Sequence, residues 1–177
     1  MVKLNDIVLD STQLPFGLEM PKTDPGGAGR YKRDTLNKIC PGAVKPKASH
    51  LKGVWRLGNC NIIFHTKKPQ PNRKRKMGGR KYGDMMYPND LTFIWGGDPF
   101  EHSRKVYQDI LADEPMEMLL MARNTVNDSF TSFGLMERLE HHEGPYEKAN
   151  DMRPIVKFKL TGAVGKNAPT KYPALFA

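Results

Sequence analysis

Leu14, Phe16, Leu18 and Met20 alternate with Pro15, Gly17, Glu19 and Pro21. A period of two is that of an extended chain, and the prolines deny it a central place in a sheet, so an edge strand or docking arm is predicted. Pro25-Gly26-Gly27-Ala28-Gly29 reads as a hinge. Leu36, Ile39 and Cys40 then allow one or two helical turns, stopped by Pro41-Gly42. Val54-Trp55-Arg56-Leu57 and Cys60-Asn61-Ile62-Ile63-Phe64 flank Gly58-Asn59, two β-prone runs across a two-residue turn, which predicts a hairpin.

Leu91 to Trp95 is the best strand in the second half, broken by Gly96-Gly97. A helix start follows it: Asp98 as N-cap, Pro99 at N1 and Glu101 closing a capping box. Phe100, Val106, Tyr107, Ile110 and Leu111 supply the apolar stripe of that helix, and Pro115 ends it. Met116, Leu119, Leu120 and Val126 lead on to Phe130, Phe133, Met136 and Leu139. Their spacing predicts one long helix, or two broken near Asn124 to Asp128, with Gly144-Pro145 as terminator. Ile155 to Leu160 is expected as a final strand, and the tail beyond it has no periodicity.

The expected architecture is α+β: a small body made of a hairpin, one or two further strands and two to three helices. Residues 1–53 are expected as an extended Gly/Pro-rich arm, 54–160 as the body with a basic loop at 67–83, and 161–177 as an extended C-terminal tail. Hydrophobic residues make up 38% of the 177, below the roughly 45–50% of an ordinary globular domain. That agrees with a modest core and arms that become ordered on a partner.

Charge sharpens the picture. Residues 1–83 hold eighteen Lys and Arg against five acids, a formal +13, whereas residues 84–177 hold ten bases against fourteen acids. Lys67 to Lys81 concentrates eight bases in fifteen residues. Lys67, Lys68, Arg73, Lys74, Arg75, Lys76, Arg80 and Lys81 can neutralise phosphates, and Tyr82 can stack on an unpaired base. A targeting signal of the Arg73-Lys74-Arg75-Lys76 type and a plain solvated loop are the competing readings.

Other candidate chemistry is thinner. Cys40, His50, Cys60 and His65 are zinc-ligand types, but the short Cys-x-x-Cys knuckle is missing, so buried thiols and incidental histidines are the expectation. His102, His141, His142 and Glu143 pair with no nucleophile at diagnostic spacing, and a helix C-terminus accounts for the His141-His142 pair. Gly26 to Arg30 lacks the Gly-Lys-Ser/Thr of a phosphate loop, and the methionine-dense run Met116 to Met121 suits a core or an adaptable interface. No enzyme activity, cofactor or small-molecule substrate is expected.

Two cysteines exclude a disulfide-stapled scaffold and point to a reducing intracellular compartment, mitochondrial or cytoplasmic. No run is long and apolar enough to span a bilayer. The expected function is a structural RNA-binding component of a large ribonucleoprotein, ribosomal in type, with rRNA and neighbouring proteins as partners. The alternative is a structural subunit of a non-RNA assembly, such as an axonemal microtubule-associated protein or a respiratory-complex accessory subunit.

Overall fold

The computed structural model describes residues 14–20, 54–56, 60–68, 84–96, 105–125, 127–146 and 149–177. Strands account for 55% of it, curled into a half-barrel, in place of the helix-containing α+β body that the periodicity predicts. The strands are β1 (Glu19–Met20), β2 (Val54–Arg56), β3 (Cys60–Lys68), β4 (Met85–Tyr87), β5 (Thr92–Gly96), β6 (Glu117–Thr125), β7 (Phe130–Tyr146) and β8 (Ala149–Lys159). They follow the order β2-β3-β6-β7-β8-β5-β4, with β1 beside β7.

The hairpin read from residues 54–64 is present as β2 against β3, with Val54 opposite Ile63 and Arg56 opposite Asn61. The strand at 91–95 is β5, and the final strand lies within β8. β3 and β6 run parallel, Ile63 level with Leu120 and His65 with Ala122. The other strand pairs are antiparallel.

The helix expected over Met116 to Leu139 is instead the β6–β7 hairpin. Met118, Leu119, Leu120, Met121 and Ala122 are all buried, because β6 is covered on both faces and so shows no alternation. Thr125 and Asp128 make the turn: the Thr125 amide and hydroxyl donate to Asp128 Oδ2 at 2.7 and 2.9 Å.

The helix-like step of three along β7 comes from bulges. Leu120 pairs with Gly134 but Met121 pairs with Ser132, so Phe133 is an extra residue, and Gly134 takes φ +73° to accommodate it. A second irregularity falls at Leu139, between Arg138 and Glu140. Each inserted residue shifts the alternation by one. His141 and His142 are thereby exposed strand residues and not a helix C-terminus.

Of the helix expected after Asp98, Lys105–Leu111 is helical among the described residues. Its expected cap at Asp98 to Glu101 lies outside the described residues. Arg138 tethers its C-terminal end, donating from Nη1 to the Ile110 and Ala112 carbonyls at 2.8 and 2.7 Å and satisfying acceptors that the helix leaves open.

The tail expected to be extended is folded onto the sheet. Two 3-10 turns, Thr161–Ala163 and Pro173–Leu175, flank a short helix, Ala168–Lys171. Ala163, Ala168, Leu175 and Phe176 enter the same core as Ile63, Phe93, Trp95, Leu120, Phe133, Val156 and Phe158. At the other end of the described chain, Leu14 and Met20 are buried, so the alternating segment docks on this body as an edge strand. Phe16 packs edge-on against Phe133 and Tyr172, at 5.5 and 5.8 Å between ring centres, joining both docked segments at the bulge.

Candidate nucleic-acid interface

β3 delivers the chain to Lys67 and Lys68, and β4 receives it again at Met85. The segment between, 69–83, contains six bases and no acid. Arg73, Lys74, Arg75, Lys76, Arg80, Lys81 and Tyr82 lie outside the described residues. Both supports of the segment are described, and both reach Phe176–Ala177. Lys67 Nζ donates to the Phe176 carbonyl. Met86 of β4 forms a parallel bridge with Phe176, and the Ala177 amide donates to the Met86 carbonyl at 2.8 Å. The tail thus spans the open side of the half-barrel, between β3 and the outermost strand β4, and holds the two ends of the basic segment to one seam.

Lys67 and Lys68 differ in consequence. Lys67 is half-buried and its ammonium serves the seam, whereas Lys68 at the end of β3 is exposed. Sequence spacing cannot separate them, because the acceptor for Lys67 lies 109 residues away.

Next to the seam, β4, β5 and β8 present an outer face that sequence reasoning missed. Tyr87, Pro88, Asn89, Asp90, Thr92, Ile94 and Lys157 line a shallow depression of about 290 Å3. Register explains the gathering: Tyr87 stands opposite Thr92, and Ile94 opposite Lys157. Asp90 Oδ1 accepts the Thr92 hydroxyl at 2.7 Å. That bond first, and the Lys157 charge after it, hold the Asp90 carboxyl below its ordinary range. Lys157 also faces Glu140 Oε1 at 3.8 Å, and Lys159 Nζ donates to the Asp90 carbonyl. Cations and carboxylates balance here. The only sequence signal for this site was Tyr87 itself, an aromatic beside a Pro-Asn-Asp turn.

The inner face carries polar atoms of another kind. Asn61, His65 and the core residue Ile63 share one side of β3. Asn61 Nδ2 and Oδ1, His65 Nε2 and Asn124 Oδ1 are buried without a hydrogen-bond partner. Burial, with a contribution from the Lys67 charge, lowers the His65 pKa to about 4, so the imidazole is neutral at pH 7 and offers phosphate no charge. Its ring lies 5.2 Å from that of Phe93. On the opposite face Arg123, also buried, stacks 4.3 Å over Phe130 and donates from Nε to Thr66 Oγ1 at 3.0 Å.

The zinc reading finds no support in this part of the chain. Cys60 and His65, five residues apart on one strand, project to opposite faces. Cys40 and His50 lie outside the described residues, as does His102. Among the described residues no group of three or more His, Cys, Asp or Glu side chains is placed to hold a metal ion. Among them, too, no helix is long and apolar enough to cross a membrane. No protein family, no curated protein and no solved structure matches this chain.

Proposed function

We propose that this protein is a structural RNA-binding component of a large ribonucleoprotein, ribosomal in type, working in a reducing mitochondrial or cytoplasmic compartment. The observation that carries the reading is the placement of the basic segment. Six bases without an acid leave a folded half-barrel between β3 and β4, at a seam that the tail holds closed. Like charges at this density favour a polyanion, and neutralising phosphates releases counterions. Anchoring both ends of such a segment lowers the entropy lost when it orders on a partner. Phosphate contacts of this sort position a protein without reading sequence, which suits a structural role.

Sedimentation of the full-length chain from cell extract, with and without nuclease, tests the reading. A heavy particle that collapses with nuclease is expected. A heavy particle that resists nuclease would overturn it in favour of a protein-only assembly.

A further inference from the structure

The depression beside β4 has a shape and a charge pattern that the basic segment lacks. Its volume, about 290 Å3, lies at the bottom of the range for a whole drug-sized ligand, roughly 300–1,000 Å3. It has room for one ring system of a larger molecule. The walls are an exposed phenol ring, Tyr87, two apolar surfaces, Pro88 and Ile94, and hydrogen-bonding groups from Asn89, Asp90 and Thr92. The ammonium of Lys157 is met by Glu140 at 3.8 Å and stands beside the Asp90 carboxylate. A phosphate would gain little from such a balanced site. A flat, uncharged ring with polar edges fits it, stacking on the aromatic face while its edge meets amide and carboxylate groups.

Position selects among such rings. Lys81, the last base of the basic segment, lies six residues before Tyr87, at most about 20 Å of extended chain. A strand whose phosphates follow the segment therefore has its bases within reach of β4. Resting on the RNA reading above, we infer that the depression between Tyr87, Ile94 and Lys157 takes one unpaired base of a bound RNA strand, stacked on the Tyr87 ring. The ligand class is then single-stranded RNA, or a loop or bulge, because a base within a duplex cannot leave its stack without cost.

The test measures affinity of the full chain, over a range of salt concentrations, for an unstructured RNA oligonucleotide and for a duplex of equal length. Wild type is compared with Tyr87→Ala and Tyr87→Phe. Stacking on one aromatic should make Tyr87→Ala bind the single strand about 5- to 150-fold more weakly. Its salt slope should stay unchanged, because no phosphate contact is lost. Duplex binding should also be unchanged, and Tyr87→Phe should stay within about two-fold of wild type for both ligands. Tyr87 is 37% exposed, and equal thermal melts of the three proteins confirm that the comparison is between folded chains. Wild-type RNA binding with no single-strand loss in Tyr87→Ala overturns the subsite alone. An equal loss for strand and duplex does the same. A wild-type chain that binds neither RNA overturns the functional reading and the subsite together.

Discussion

Gly162 lies directly on the backbone of the Phe133–Gly134 bulge. A Cβ on Gly162 would stand 2.8 Å from both the Phe133 carbonyl oxygen and the Leu135 amide nitrogen, and 3.0 Å from Gly134 Cα. Real Cβ atoms do not approach main chain so closely. The first turn of the tail and the irregularity of β7 are therefore fitted to each other, and Thr161 Oγ1 reinforces the contact by donating to the Leu135 carbonyl at 3.0 Å.

Gly162→Ala should destabilise the fold by about 1–3 kcal/mol, since backbone and not a flexible side chain must give way. For a chain of this size each kcal/mol lowers Tm by roughly 2–4 °C. Gly162 does not have a positive φ, so the cost there comes from the contact and not from backbone strain. Thermal melts should place Gly162→Ala well below wild type, and an unchanged melt would show that the tail does not seat on the bulge.

His65 makes stability depend on pH. Its folded-state pKa, about 4, lies below the ordinary value near 6.5, so between those values the unfolded chain binds more protons. Stability is then complete above about pH 6.5 and falls as the pH drops towards 4, by at most roughly 3 kcal/mol. Denaturant unfolding at several pH values should show this decline, and His65→Leu should flatten it.

Asp128→Ala should cost about 1 kcal/mol or somewhat more, through loss of the bonds from the Thr125 amide and hydroxyl. The substitution lies at an exposed turn, so urea titration should show a lower midpoint with an unchanged m-value. An unchanged midpoint would mean that the β6–β7 turn does not depend on the Asp128 carboxylate.

Replacing Arg73, Lys74, Arg75 and Lys76 with Ala should weaken RNA binding and reduce the log–log salt slope by roughly 3, at about 0.7–0.9 per phosphate contact. An unaltered slope would place the phosphate contacts elsewhere on the molecule.

Phe176→Ala removes a buried ring that packs 6.0 Å from Phe133, at the residue whose main-chain carbonyl accepts from Lys67. A loss of about 3–5 kcal/mol is expected. Amide exchange at Ala177, which donates to Met86, should rise ahead of the rest of the sheet. Uniform exchange across the sheet would show that the seam has no local opening of its own.

Local pattern sufficed where a segment's own residues mark it as extended, whether its partner is near or far in the chain. Gly58-Asn59 announced the β2–β3 hairpin, the prolines around Phe16 announced an edge segment, and Leu91 to Trp95 announced β5. Pattern failed at β6–β7 for two physical reasons. Burial of both faces erased the alternation of Met118 to Ala122, and the bulge residues Phe133 and Leu139 converted a step of two into one of three. The tail failed differently. Ala163, Ala168, Leu175 and Phe176 are sparse in sequence, and only contacts with distant strands gather them into the core. The same non-locality governs the site. A run of lysines and arginines is visible in one dimension, whereas the depression joins Tyr87 to Lys157 through two strand pairings across seventy residues.

The seam at Phe176 also sets the order in which the protein can be made. The β4–β5 pair joins the rest of the sheet only when β8 exists, and the core is filled only when Leu175 and Phe176 arrive. During synthesis the chain emerges from its N-terminus, so β3, β6 and the basic segment between them leave the ribosome long before their cover does. Until residue 176 is made, Ile63, Leu120 and Phe133 lack the part of their cover that Leu175 and Phe176 supply. The strands are thereby laid down before their cover, and closure of the core waits for the last of its contributors to be synthesised.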